Sequence, residues 1–557
     1  MAKLMYIQPT PAPHAFIAMT SPPRSEPAIR KPPASESLSA LAPLQHPVFR
    51  MLWTVWLVAN ISMWMNDVAA AWIMTSLTSV PIWVALVQTA ATLPVFLLGL
   101  PSGAMADIFD RRRYFIVTQF WVAIVALILS VVILAGVLTP GLLLALTFAN
   151  GIGLAMRWPV FAAIVPELVP RPQLPSALAL NGVAMNLSRI VGPLLAGALI
   201  ATAGSAWVFV LNAVLSIACA FVIMRWRREH VPHPLGRERL TRAIRVGLQF
   251  VGQSTRLKAV LLRIFIFFFH STALLALLPL VARDLGAGDA ATFTLLLATM
   301  GAGAIAAAML LPRVRRTWTR DTVVIGGTTL QSVSILVVAL APNTAIAVFG
   351  MFAAGVAWIS TANSLSVSAQ LSLPDWVRAR GMSMYQMAIM GGSAAGAAAW
   401  GQVATMTDVD TALIASAVTG VAAMLAAYRI IVDRSIEEDL TPSREFKAPV
   451  AEAPPPSGNI VVTIEYLIDP QRSAEFRELM QESRRSRLRQ GALSWSLLRD
   501  VTVPGRFVEQ IVDESWTEHL RRFDRVTAGD VALRERKLAF HVGDTPPVIT
   551  RCVVEAS

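Results

Sequence analysis

Hydrophobic positions along this chain gather into twelve long runs, at 50–75, 81–104, 114–136, 141–163, 176–202, 206–227, 259–282, 291–312, 322–341, 345–369, 381–404 and 411–432. Each holds roughly the 20 apolar residues that a helix needs to cross the hydrocarbon of a bilayer. An even number of crossings leaves both ends of the region on one side of the membrane, and the arginines indicate which. They crowd into the connections after the second, fourth, sixth, eighth and tenth runs, as in Arg111–Arg113, Arg171, Arg237–Arg245, Arg313–Arg320 and Arg378–Arg380, while the alternate connections contribute only Arg283. Cytoplasmic loops carry this bias, so both termini are expected in the cytoplasm of a bacterial-type inner membrane. Short turns at 76–81, 138–141 and 341–344 are expected on the far side.

The two sets of six runs echo one another at an offset of about two hundred residues, the pattern expected of a parallel internal repeat. Val169-Pro170 and Ala177 recur as Leu373-Pro374 and Gly381, Gly151 recurs as Gly355, and Gly192 and Gly197 recur as Gly396 and Gly401. Small residues let membrane helices approach closely, so a shared register of glycines predicts shared helix contacts. The expected division is an arm (1–43), a first six-helix half (44–228), a basic connection (229–258), a second half (259–432), a linker (433–458) and a soluble domain (459–557). The arm holds Pro9, Pro11, Pro13, Pro22, Pro23, Pro27, Pro32 and Pro33 without the apolar core of a signal peptide, and reads as disordered and cytoplasmic.

Composition agrees with this layout. The 557 residues are 55% hydrophobic and 15% charged, against about a quarter charged in soluble proteins. The net charge of +12 belongs to loops and tail, where it suits anionic lipid headgroups better than nucleic acid. Cys219 and Cys552 are too few and too far apart for a disulfide framework or a cysteine metal site. After the Pro-rich linker, 460–468, 492–501, 506–513 and 548–554 read as strands and 474–489 and 517–526 as helices. That order, βαββαβ, predicts an α+β ferredoxin-like domain.

The segment Gly103-Ala104-Met105-Ala106-Asp107-Ile108-Phe109-Asp110-Arg111-Arg112-Arg113 resembles the signature loop of the major facilitator superfamily, Gly-x-Leu-Ala-Asp-Arg-x-Gly-Arg-Lys. Gly103, Ala106, Asp107, Arg111 and Arg112 match, the last as Arg for Lys, and Met105, Ile108 and Asp110 depart. In that family the loop latches the halves together, which makes Gly103, Asp107, Arg111 and Arg112 latch candidates here. Gly192-Pro193-Leu194-Leu195-Ala196-Gly197 is similar to the antiporter signature Gly-Pro-x-x-Gly-Gly through Gly192, Pro193 and Gly197. With Phe49–Trp53, Trp64-Met65, Trp83–Gln88 and Pro166–Pro170, the chain resembles the branch that holds the enterobactin exporter, macrolide-efflux proteins and transmembrane secretion effectors. The resemblance implies an all-α fold of twelve transmembrane helices in two halves and proton-driven export of a siderophore or drug-like molecule.

Ionisable residues inside a membrane span are costly and face a cavity or a partner. Asp67, Arg157, Arg189 and His270 are of this kind. Asp67 is the candidate proton carrier, or else one end of a static ion pair; Arg189 binds an anionic substrate or pairs with Asp67. His270 titrates with the cycle or packs among Phe265, Phe267, Phe268 and Phe269. Asn150 and Asn186 are polar groups at membrane depth that line a cavity or bridge helices. Trp64, Trp72, Trp158, Trp358 and Met384 suit a large apolar ligand or plain packing. No Gly-x-x-x-x-Gly-Lys-Ser/Thr loop, His-Glu-x-x-His metal motif or Gly-x-Ser-x-Gly elbow occurs, so neither ATP nor a metal or other cofactor is expected to drive the protein. A proton gradient takes that place.

The tail, through Trp495, Asp500, 512–519, Arg525 and Phe540-His541, resembles the antibiotic-biosynthesis-monooxygenase-like family. The resemblance implies self-association through the sheet, and in enzymes of the family oxygen or haem chemistry, for which Trp516, His519 and His541 are candidates. Three functions follow for test: a proton-coupled exporter, a membrane-tethered monooxygenase, and a noncatalytic sensor or assembly protein. Twelve spans, a duplicated half and a latch loop favour the exporter, with substrate, protons and lipids as its partners.

Overall fold

The computed structural model describes residues 41–226, 240–285, 289–374, 376–431, 439–443, 445–449 and 458–555. Most of the N-terminal arm, much of the connection between the halves and most of the linker lie outside the described residues. The first half consists of α1 (Pro47–Leu77), α2 (Pro81–Ile108), α3 (Arg111–Leu134), α4 (Pro140–Leu168), α5 (Leu174–Ala203) and α6 (Ser205–Met224). A short helix, α7 (Leu240–Gln253), precedes the second half: α8 (Thr255–Asp284), α9 (Ala290–Val314), α10 (Arg320–Ala339), α11 (Thr344–Leu371), α12 (Arg378–Met406) and α13 (Val409–Ile430). Helix starts are set by local chemistry: Asp110, Thr139, Ser254, Asp289, Thr319, Asn343 and Asp408 each accept a bond from a first-turn backbone N–H. Asp110, a departure from the signature loop, thus earns its place as the cap of α3, accepting from Arg113 N at 2.8 Å.

Among the described residues eleven helices are long and apolar enough to cross a membrane. The helix that falls short, α12, is 29 residues long and packs inside the bundle. Its hydropathy is lowered because it gives up side chains for backbone contact with α8. A Cβ on Gly392 would stand 2.6 Å from the Phe265 carbonyl oxygen, and one on Gly396 2.1 Å from that of Phe269. Trp400 Nε1 seals the seam by donating to the Phe269 oxygen at 3.2 Å.

The repeated glycines do the same work in each half. Gly192 brings α5 against Trp64 and Ile61 of α1, as Gly396 brings α12 against α8; Gly151 brings α4 against Ala90 and Ala91 of α2, as Gly355 brings α11 against Met300 of α9. Gly197 and Gly401 instead cross between the halves, to Thr294 of α9 and Ala85 of α2.

The tail is an α+β unit: β1 (Ile460–Leu467), α14 (Ser473–Arg489), β2 (Ser494–Arg499), β3 (Arg506–Asp513), α15 (Trp516–Asp524), α16 (Ala528–Leu538) and β4 (Val548–Val553). The sheet runs β2-β3-β1-β4 with every neighbour antiparallel, Ile460 opposite Asp513 and also opposite Val553. Ile460, Val462, Ile464 and Tyr466 of β1 and Phe507 and Ile511 of β3 form the core with Phe476 and Met480 of α14. Gly505 makes the β2–β3 turn at φ +83°, where a Cβ would meet the Ile468 carbonyl oxygen at 2.2 Å. The helix expected at 517–526 is α15; α16, which follows it, is an addition to the expected order, started by the Thr527/Asp530 capping box. The tail rests on the bundle through α7: Arg245 is ion-paired to Glu514, and Gln249 Nε2 donates to the Ala492 carbonyl oxygen at 3.4 Å.

Candidate functional site

The halves meet along α2–α12, α5–α9 and α1–α8. At the end away from the arginine-rich connections the contact is tight. Arg283 Nη1 of α8 donates to the Thr75 carbonyl oxygen of α1 at 2.5 Å, Ile82 N to Thr405 Oγ1 at 2.9 Å, and Thr89 Oγ1 to the Ala394 carbonyl oxygen at 3.0 Å. Deeper in, two cavities lie between the halves. One, of about 20 Å³, is lined by Trp64, Arg189 and Pro193 from the first half and Leu275, Leu297, Met300 and Trp358 from the second. The other, also of about 20 Å³, is lined by Asp67, Val84, Val87, Gln88, Leu275 and neighbours. Leu275 is common to both.

The sequence explains this placement. Trp64 and Asp67 are three apart on α1 and so share a face, Arg189 stands three residues before Gly192, and Gly192 lets α5 lie directly on Trp64. The Arg189 guanidinium sits 5.4 Å from the Trp64 ring centroid, a cation–π contact. Its Nη1 and the Oδ1 of Asp67 are buried without a hydrogen-bond partner, and no ion pair joins the two residues among those described. Each half-buried charge thus keeps one enclosed polar atom without the hydrogen-bond partner that buried charge demands, on cavities that share Leu275.

The other membrane-depth candidates fall elsewhere. Arg157 is fully buried inside the first half, where Nη1 donates to the Ala59 carbonyl oxygen at 3.2 Å and Nη2 to Asn60 Oδ1 at 3.5 Å. It lies over Trp56, which stacks on Phe161 at 4.0 Å. His270 faces α12 and α13 within the second half, 5.5 Å from the Trp400 ring centre and 3.4 Å from Thr419 Oγ1. Asn150 is buried beside α2 with Oδ1 unbonded, and Asn186 is half-buried on α5. Gly103 and the side chain of Asp107 lie outside the described residues; Arg112 donates to the Ile223 and Met224 carbonyl oxygens of its own half. Of the antiporter-like motif, Pro193 lines the cavity that holds Arg189, Gly192 packs within the half and Gly197 crosses between halves.

The tail candidates are separated. His519 Nδ1 is 2.8 Å from Asp513 Oδ2, Arg551 Nε donates to His519 Nε2 at 3.2 Å, and the Trp516 ring lies 5.4 Å away. An acceptor at Nε2 places the His519 proton on Nδ1. His541 stands at the other end of β1, accepting from Leu467 N at 3.0 Å and donating to the Thr545 carbonyl oxygen at 2.8 Å. No group of metal ligands forms among the described residues.

Sequence reading missed a buried cluster around Glu509. Its carboxylate accepts from Ser483 Oγ at 2.7 Å, Trp495 Nε1 at 2.9 Å, Lys537 Nζ at 3.2 Å and Tyr466 OH at 3.3 Å. Burial alone would push this carboxyl up, but Lys537, Arg487 and the bonds from Trp495 and Ser483 hold it well below the usual carboxylate range. Burial pushes Lys537 down to about 8 against the pull of Glu509. The signal was available, since Glu509 shares the inward phase of β3 with Phe507 and Ile511. Leu275, Leu297 and Met300 were also missed as lining groups, since nothing in an apolar run distinguishes them; Gln88, quoted only within Trp83–Gln88, carried a signal as a polar residue inside such a run.

A family model described as transmembrane secretion effector matches residues 38–557, through both halves and the tail. The staphyloferrin A transporter of Staphylococcus aureus is 21% identical over 45% of this chain and 63% of its own length, so the match spans less than two thirds of that relative. The macrolide efflux protein A of Streptococcus pyogenes is 22% identical over 54% of this chain and 75% of its own. Among solved structures, the bundle is similar to a POT family transporter in complex with 5-aminolevulinic acid, at TM-score 0.58 and 12% identity over 69% of this chain and 96% of that one. It is likewise similar to the nucleoside transporter NupG, at TM-score 0.56 and 14% identity over 70% of this chain and all of that one. At such identities these likenesses are of fold alone.

Proposed function

The chain belongs to the transmembrane secretion effector family of major facilitator transporters, and on that premise we propose that it exports an anionic, amphipathic small molecule of siderophore or drug type in exchange for protons. The single observation that carries this reading is that Asp67 Oδ1 and Arg189 Nη1 are each enclosed without a hydrogen-bond partner, on two small cavities that share Leu275 at the seam between the halves. Arg189, Trp64 and Trp358 supply charge and aromatic surface for the substrate. Asp67 takes up a proton where it is dry and releases it when the halves rock and water or a cation reaches it. Parting of the seam at Gly197–Thr294 and Gly401–Ala85 opens the far side. The arginine-rich end, with both termini and the tail, is read as cytoplasmic.

Relatives named for staphyloferrin and macrolides support a large polar-and-apolar cargo. For the tail, occupation of both ring nitrogens in His519 and in His541 supports a noncatalytic, ferredoxin-like sensing or assembly module over a haem or oxygen enzyme. The test is reconstitution into vesicles with an imposed pH gradient and a panel of carboxylate siderophores, catecholates and macrolides. Gradient-driven movement of an anionic member, with counterflow of protons, is expected. Movement that ignores the gradient would remove the antiport claim.

A further inference from the structure

Between the tail and the bundle lies an open pocket of about 140 Å³, lined by Trp376 and Arg380 from the start of α12 and its preceding connection and by Arg521, Asp524 and Arg525 from the end of α15 and the residue that caps it. Three guanidiniums and an indole from two separate parts of the chain converge there around a single lining carboxylate. Arg525 is buried and fixed: Nη1 donates to the Gln490 carbonyl oxygen at 2.6 Å, Nη2 to Glu518 Oε2 at 3.4 Å, and its plane lies 5.0 Å from the Trp376 ring centre. Arg521 is held by the same Glu518, at 2.5 Å. Trp376 is braced edge-on by Phe250 of α7, at 5.8 Å between ring centres, yet its Nε1–H is enclosed with no acceptor. An enclosed donor without an acceptor is costly to leave so. In addition, α12 begins beside the pocket with no side-chain cap, and an uncapped helix N-terminus favours negative charge.

We propose that this junction is a binding site for a small polyanion, bearing phosphate or several carboxylates, that fastens the tail to the first turn of α12. Guanidiniums held by neighbouring groups are pre-organised for bidentate contact with such anions. Because α12 also forms the seam with α2 across the halves, a ligand bridging α15 and α12 reports tail docking directly to a helix that moves in transport. The site is independent of which molecule the bundle carries.

The test uses the full chain in nanodiscs. Thermal stability is measured against inorganic pyrophosphate and citrate in neutral phosphatidylcholine discs, and again without them in discs containing phosphatidylglycerol. Saturable stabilisation by a soluble anion assigns a soluble ligand, and stabilisation only with phosphatidylglycerol assigns a lipid headgroup phosphate; either supports the site. Arg521→Ala on the tail and Arg380→Ala on the bundle are each expected to weaken the response at least about tenfold, while Arg472→Ala, on the exposed side of the tail, leaves it unchanged. If Arg521→Ala unfolds the tail, Arg380→Ala, outside the tail, carries the test. A response absent with all three anions, or kept in full by both pocket variants, overturns the proposal.

Discussion

Gly197 of α5 stands so close to Thr294 of α9 that a Cβ on the glycine would fall 2.3 Å from the threonine Oγ1. Its repeat counterpart, Gly401 of α12, stands equally close to Ala85 of α2, at 2.4 Å. The glycine pair that joins helices inside each half, Gly192 and Gly396, is thus followed by a pair that joins the halves to each other. Duplication has conserved the geometry of the contact rather than its chemistry, because one partner is a threonine and the other an alanine.

Gly197→Ala is therefore expected to wedge the closed end open. Overpacking of this kind costs about 1–3 kcal/mol, which is enough to shift a two-state bundle by about fivefold or more toward the other state. The measurement is thiol labelling of Thr405→Cys, placed at that end in a background lacking Cys219 and Cys552. Labelling rises in Gly197→Ala and returns to baseline when Thr294→Gly makes room; it does not return when Thr294→Gly is combined with Gly401→Ala. Equal rescue of both glycine variants would contradict a pairwise contact.

Asp67→Asn keeps the shape of the cavity wall and removes the proton. Counterflow of protons during export is expected to vanish, while downhill exchange of substrate persists within about threefold of the parent. Arg189→Lys keeps charge but loses the planar contact with Trp64, so it is expected to raise the substrate concentration for half-maximal transport by about tenfold. Unchanged proton counterflow in Asp67→Asn would sink the coupling role.

Arg157 lies in the same hydrophobic belt as these residues but serves a different end. Its bonds reach the Ala59 carbonyl oxygen and Asn60 of α1, and its guanidinium covers Trp56. Arg157→Met is expected to lower the thermal stability of the purified protein, by about 2–4 kcal/mol of lost bonding and stacking. The surviving folded fraction should show an unaltered ranking of substrates. A changed ranking with intact stability would make Arg157 a ligand group instead.

Much of this molecule is legible from its residues, for reasons that differ by level. Helix number and halves follow from hydropathy and glycine register because lipid enforces both. Even so, α12 escapes a hydropathy criterion that its position in the bundle satisfies, since contact with α8 at Gly392 and Gly396 replaces apolar side chains with backbone. Asp67 and Arg189 were visible as costly residues, but whether they pair depends on a helix packing that spacing along the chain does not encode. Trp376 and Arg521 are 145 residues apart, and only the docking of the tail on α7 brings them to one pocket. Glu509 had a readable signal in the alternation of β3, obscured because an acid in a strand usually marks the solvent face.

Glu509 and Lys537 together fix how the tail responds to pH. The carboxyl sits below its ordinary value of 4.5, so the stability it contributes is complete above that value and is lost as pH falls beneath it toward the folded-state value. Lys537 titrates near 8 in the fold against an ordinary 10.5; between those values the unfolded chain binds the extra proton, and tail stability therefore rises with pH. Lys537→Met removes that alkaline rise. It also leaves Glu509 buried without its counterion, at a cost of about 3–5 kcal/mol, and lifts the carboxyl back toward its ordinary value, so that less stability remains to be lost in acid. Denaturant unfolding of the full chain, followed through the fluorine resonance of labelled Trp495, whose Nε1 donates to Glu509 at 2.9 Å, reads both limbs. Glu509→Gln with Lys537→Met should recover most of the stability at neutral pH and flatten both limbs, because a neutral amide in the same cage needs no counterion and has no proton to exchange. A double variant as unstable as Lys537→Met alone would mean that the charge of Glu509 is not what Lys537 offsets.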